Sequence, residues 1–133
     1  MKHVRLFLIL LPSLFFLFSC SGNSKSIEGK WLLEEYCFGD DCVDMASYDI
    51  VQTWEFGNEK AMDSSYMIGR QKQENILDSK MLWRLNSSFD TLFTLDENCM
   101  NGDTLTVEFC GKDTMIVNSQ INDLPVREVF IRI

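Results

Sequence analysis

Histidine is almost missing from this chain of 133 residues; the one present, His3, stands within the first five. The side chain that most often serves as general base and as metal ligand is therefore lacking from the body of the protein. No serine has an evident base. The acidic residues, 20 in number, are so dense that pairs of carboxylates arise without any catalytic reason. These absences point away from an enzyme, and no catalytic, metal or cofactor set is assigned. Basic residues are also scarce: 12 Lys and Arg face those 20 acids, a net charge of −8. A surface of that sign repels nucleic acid and anionic membrane alike, so no nucleic-acid partner is expected. None of the five cysteines forms a Cys-x-x-Cys pair, which with the missing histidine argues against zinc and redox chemistry. Long apolar runs are absent too. Leu6 to Phe18 spans 13 residues, short of the roughly 20 that cross a bilayer as a helix.

That short run follows Lys2, His3 and Arg5 and ends in Leu17-Phe18-Ser19-Cys20. A basic start, an apolar stretch of this length and a small residue read as a secretory signal. The ending resembles the lipobox of bacterial lipoproteins. The resemblance implies cleavage before Cys20 and a diacylglycerol on its thiol; an ordinary secretory signal with a chance cysteine is the alternative. The chain then divides into a leader at 1–19, a lipidated cysteine and polar tether at 20–26, and one domain at 27–133. Removal of 19 residues leaves 114, with 10 basic residues against 20 acidic and no histidine, a net charge of −10. That is enough chain for one core. Ser21 to Ser26 is small and polar and holds the domain off a bilayer. No acidic cluster follows Cys20 of the kind that marks some bacteroidete lipoproteins for surface export, so the periplasmic face of the outer membrane is the expected location. Export also makes Cys37, Cys42, Cys99 and Cys110 an even set in an oxidising compartment, with three possible connectivities.

From Glu28 onward the chain reads as short strands separated by turns. Strands are expected over Gly29–Tyr36, Ile50–Phe56, a weaker Lys60–Gly69, Met81–Leu85, Thr91–Leu95, Thr104–Phe109, Met115–Ile121 and Val126–Ile133. Ile50, Gln52, Trp54 and Phe56 alternate with Val51, Thr53 and Glu55, the period of a half-buried strand. Turns are expected at Gly57-Asn58, Asn86-Ser87-Ser88, Asn101-Gly102 and Gly111-Lys112-Asp113. Gln71–Leu77 is the one plausible helix. About eight sequential strands predict an all-β fold, an antiparallel up-and-down barrel that closes on itself and so loses its edges. A two-sheet sandwich is the alternative.

Gly29-Lys30-Trp31 at the start of the first strand resembles the Gly-x-Trp of lipocalin-like proteins. With the strand count, Trp83 in a mid-chain strand and the lipobox, the chain resembles the small lipocalin-like lipoproteins of bacteroidetes over 27–133. The resemblance implies structural roles for Gly29 and Trp31, with a late arginine, here Arg132, crossing Trp31 at the closed base. It also implies a ligand site at the open end, for a small hydrophobic ligand or an envelope protein partner. The inward aromatics Trp54, Phe56, Tyr66, Trp83, Phe93 and Phe109 are the candidates to line it; all are first of all core residues in a small barrel. A filled barrel acting as an envelope accessory, or as an inhibitor of a secreted enzyme, is the competing reading.

Cys37 and Cys42 end a six-residue stretch within the long first connection, Cys37 to Asp49, and are expected to pair, either as a staple on a lid over the open end or as a plain loop staple. Cys99 and Cys110 fall at opposite ends of one strand and are not expected to pair with each other. Asp40, Asp41 and Asp44 lack the full calcium-loop pattern and read as a solvated acidic loop. Asp90-Thr91-Leu92, Asp103-Thr104-Leu105 and Asp113-Thr114-Met115 resemble a bacteroidete O-glycosylation acceptor. They fit at least as well as strand starts, in which Asp ends a turn and the apolar residue enters the core.

Overall fold

Strand β1, Gly29–Phe38, carries the wall of a closed barrel on both of its edges. The structure is a computed structural model and describes residues 26–61, 65–96, 98 and 101–133. The leader, Cys20, the tether up to Lys25 and Cys99 lie outside these. Eight strands close an antiparallel up-and-down barrel, and a ninth short strand is added to it. After β1 come β2 (Asp41–Asp44), β3 (Gln52–Lys60), β4 (Met67–Gln73) and β5 (Leu77–Leu85). Then follow β6 (Thr91–Asp96), β7 (Gly102–Cys110), β8 (Thr114–Ile121) and β9 (Leu124–Arg132). Each strand from β3 to β9 pairs with the next, and β9 returns to pair with β1 from Phe38↔Val126 to Trp31↔Arg132. All pairings are antiparallel, as the turn-rich sequence predicts, and the sandwich alternative is excluded by the β1–β9 closure.

The far edge of β1 is shared. Gly29–Leu32 pair with β3, whereas Glu35–Phe38 pair with β2. Thus β3 leaves β1 above Leu32, and the β2 excursion fills the wedge. A short 3-10 helix, Met45–Tyr48, follows β2 and sends Met45 into the core, with Ile50 packed against it. Asp44 starts that helix by accepting a hydrogen bond from the Ala46 N–H at 3.1 Å. The connection from Cys37 to Asp49, which the expected strands leave as a loop, is therefore a hairpin and a helical turn. Gly39 and Asp40 form its two-residue turn, with Gly39 at φ +61°, where a side chain would be strained.

Three other expectations are corrected. Gln71–Leu77 is not helical: β4 runs to Gln73, a turn covers Glu74–Ile76, and β5 begins at Leu77. Gly57-Asn58 is no turn, because β3 continues through it with a bulge between Phe56 and Lys60. Asn101-Gly102 is no two-residue turn either, since Gly102 already pairs with Leu95 in the β6–β7 ladder.

Alternation places the core. Trp31, Phe56, Leu92, Val107, Phe109, Met115, Val117 and Phe130 are all at most 3 % exposed and form one cluster with Leu33, Trp54, Met81 and Trp83. The imperfect alternation of β1 comes from a bulge between Leu33 and Glu35, which turns Tyr36 rather than Glu35 inward. Burial of this set is the main force holding the barrel, at about 1.5–3 kcal/mol for each large apolar side chain. The three Asp-Thr-apolar triplets use their third residue, Leu92, Leu105 and Met115, as core.

Candidate functional site

The barrel has two unlike ends. At the base, β1 begins and β9 ends. Trp31 is fully buried there, and its Nε1–H donates to the Ile27 carbonyl at 2.8 Å. The Arg132 guanidinium lies 4.2 Å from the centre of the Trp31 ring. It also donates to the carbonyls of Lys112 (3.0 Å), Glu28 (2.6 Å) and Ser26 (2.8 Å), joining the segment before β1 and the end of β9 to the β7–β8 turn. Gly29 makes room for it: a Cβ on Gly29 would lie 2.8 Å from an Arg132 nitrogen, and the backbone there has φ +124°. The Gly-x-Trp spacing thus has a mechanical reason. Residues i and i+2 face the same way, so the glycine clears the seat of the cation that covers the tryptophan.

The other end is open. The Cys37–Cys42 disulfide is present there, bridging residues directly opposite in the β1–β2 ladder. It lies beside Glu35 on the wall, with neither cysteine lining the hollow of the mouth, so it is a staple and not a lid. With Glu35 it makes a cluster of potential metal ligands, but both sulfurs are spent on the bridge. Cys110 is also disulfide-bonded, to a partner outside the described residues. β7 carries it roughly 26 Å from Gly102, at the base end.

Inside the mouth is a hollow of about 280 Å³, to which every barrel strand except β5 contributes. Its wall is mixed. Tyr36, Trp54, Leu105 and Val126 supply apolar area, while Gln71, Thr94, Asp103, Ser119 and Glu128 supply polar groups. A second hollow of about 250 Å³ adjoins it, sharing Gln71, Thr94 and Asp103 and adding Ser79 and Asp96. Glu128 sits between Val126 and Phe130 on the inward face of β9, opposite Tyr36 on β1 and Val117 on β8. Burial pushes its carboxyl up to about 7, with no other contribution. The Trp54 ring stands on Phe130, 4.7 Å between centroids, and its buried Nε1–H has no acceptor among the described residues.

Among the expected lining aromatics only Trp54 borders this hollow. Phe56 and Phe109 lie deeper, packed edge-on to Trp83 (5.4 Å) and tilted on Trp31 (6.3 Å). Trp83 borders a separate hollow at the base instead, of about 250 Å³, with Ser26, Met67 and Arg84. Tyr66 and Phe93 are not inward at all. Leu92 and Thr94 take the inner positions of β6, so Phe93 turns outward. There the Arg84 guanidinium sits 4.5 Å from the Phe93 ring and 5.4 Å from Tyr66. Sequence reasoning passed over Glu128, whose place at alternate positions with Val126 and Phe130 was the one signal available. No family model, curated protein or solved structure matches the chain.

Proposed function

We propose that the chain is a lipid-anchored envelope protein, held through Cys20, whose lipocalin-like barrel binds a small ligand at its open end. The observation that carries the reading is the contrast between the two ends. Trp31, Phe56, Phe109 and Phe130 fill the barrel below the mouth, the base keeps a hollow beside Trp83 that no half-buried acid among the described residues lines, and the mouth keeps one that bears the half-buried carboxyl of Glu128. Buried polar groups without partners are costly, and a ligand that satisfies them recovers that cost on binding. No helix among the described residues is long and apolar enough to cross a membrane, and attachment is assigned to the acyl chains on Cys20. The periplasmic face of the outer membrane is the favoured site, and the role is binding, not catalysis.

The filled interior below the mouth favours the competing reading, a barrel that acts only as a docking body for an envelope protein. Mass spectrometry of the protein from its native membrane tests the proposal. An N-terminal peptide beginning at acylated Cys20, together with a retained small molecule, supports it. Cys20 found in a disulfide with Cys110 contradicts the anchor, because one sulfur cannot carry both.

A further inference from the structure

The main hollow is acidic, and Lys80 lines not it but the hollow that adjoins it. Among the described residues Glu128 and Asp103 are the acids that line the main hollow, and no lysine or arginine lines it. The nearest cation in sequence, Arg127, faces the outer wall and is committed to Glu35 at 3.2 Å. Facing Glu128 are Tyr36 from β1, Asp103 across the mouth from β7, and Val117 and Ser119 from β8; none brings a positive charge. The rings of Trp54, 5 % exposed, and Tyr36 line the same hollow.

We propose that the mouth takes a small organic ammonium ion, its charge against Glu128 and Asp103 and its apolar body on the Trp54 and Tyr36 rings. This rests on the mouth being a ligand site and names the ligand class. A half-buried carboxylate such as Glu128 is stabilised by a cation that it contacts directly, and the Trp54 and Tyr36 rings add attraction of the same sign. A carboxylate or phosphate ligand would meet two acids. At about 280 Å³ the hollow is at the small end of ligand pockets, so the ligand is small. Burial holds Glu128 partly protonated near neutral pH, so an ammonium ligand also displaces a proton from the mouth.

Isothermal titration of the full processed protein with tyramine, tyrosol and para-hydroxyphenylacetate separates charge from shape, since the three differ only in the terminal group. Tyramine is expected to bind at least about tenfold tighter than tyrosol, with the anion weakest. Its heat is expected to change with the ionisation enthalpy of the buffer, reporting the released proton. Glu128→Gln, which removes a half-buried ionisable group and is expected to fold at least as well, should bring tyramine to the level of tyrosol. Trp54→Phe should weaken both. Tyrosol or the anion binding as tightly as tyramine overturns the ammonium assignment, and so does full tyramine affinity in Glu128→Gln. The mouth reading is judged separately by the Trp54 indole resonance. If neutral or anionic fragments shift it and no ammonium does, the ligand class alone falls; if fragments of no charge type shift it, both fall.

Discussion

Arg132 lies over Trp31 in the space that Gly29 leaves by having no Cβ, so three residues at the two ends of the domain form one lock. The guanidinium spends its donors on three backbone carbonyls while its face covers the indole. This is a fork-shaped arrangement that lysine cannot copy.

Arg132→Ala is expected to cost about 2–4 kcal/mol, from the lost cation–π contact and carbonyls left without a donor. Arg132→Lys should recover less than half. Gly29→Ala should cost about 2–3 kcal/mol through its positive φ and the displaced guanidinium. Chemical denaturation of the double mutant is the sharper test. Because both changes act on one contact, their costs should sum to less than additive.

Trp31→Phe and Trp83→Phe remove the same atoms from two buried sites, but only the Trp31 N–H has an acceptor. Trp31→Phe should therefore be the more costly by about 1–2 kcal/mol, since it leaves the Ile27 carbonyl unpaired. Equal midpoints in thermal melts would contradict the assignment of roles.

The strands were legible wherever one face is apolar, as in Trp54 and Phe56 or Leu105, Val107 and Phe109. β2 was not, because Asp41–Asp44 buries little; it is held by the ladder to β1 and the disulfide, neither of which leaves a periodic signal. Gln71–Leu77 resembled a helix because Gln, Lys and Glu favour helices. In the fold Gln71 points into a polar mouth, where a strand needs no apolar residue. Leu92 and Phe93 are adjacent and both apolar, so the sequence did not decide which enters the core; the Arg84 partner outside resolved it. The same polarity of the mouth hid Glu128 among 20 acids that mostly face solvent.

Glu128 makes stability depend on pH. Its folded pKa, about 7, is above the unfolded value of about 4.3 for a glutamate, so the folded state binds the extra proton. Stability is then highest below the unfolded value and falls as pH rises through about 7. Glu128→Gln should flatten this slope and be the more stable protein above pH 7, by at most about 4 kcal/mol. Melts of both proteins across this range check the sign.

The Cys37–Cys42 bridge closes a loop of six residues, for which chain entropy gives about 2 kcal/mol. Replacing both cysteines with serine should lower stability by that order. Hydrogen exchange should rise first in β2 and the Met45–Tyr48 turn, which have few other ties.

The central claim is that a small ligand enters the open end while the base stays shut. The most direct measurement is a nitrogen–proton correlation spectrum of the labelled protein carrying Cys20→Ser, titrated with a panel of cationic, neutral and anionic fragments. The account predicts that binding fragments move the Trp54 indole and the amides of Thr94, Ser119 and Glu128, and leave the Trp31 indole in place. A panel in which no fragment moves these signals, or in which the shifts gather on the base around Trp83 and Arg84, would contradict it.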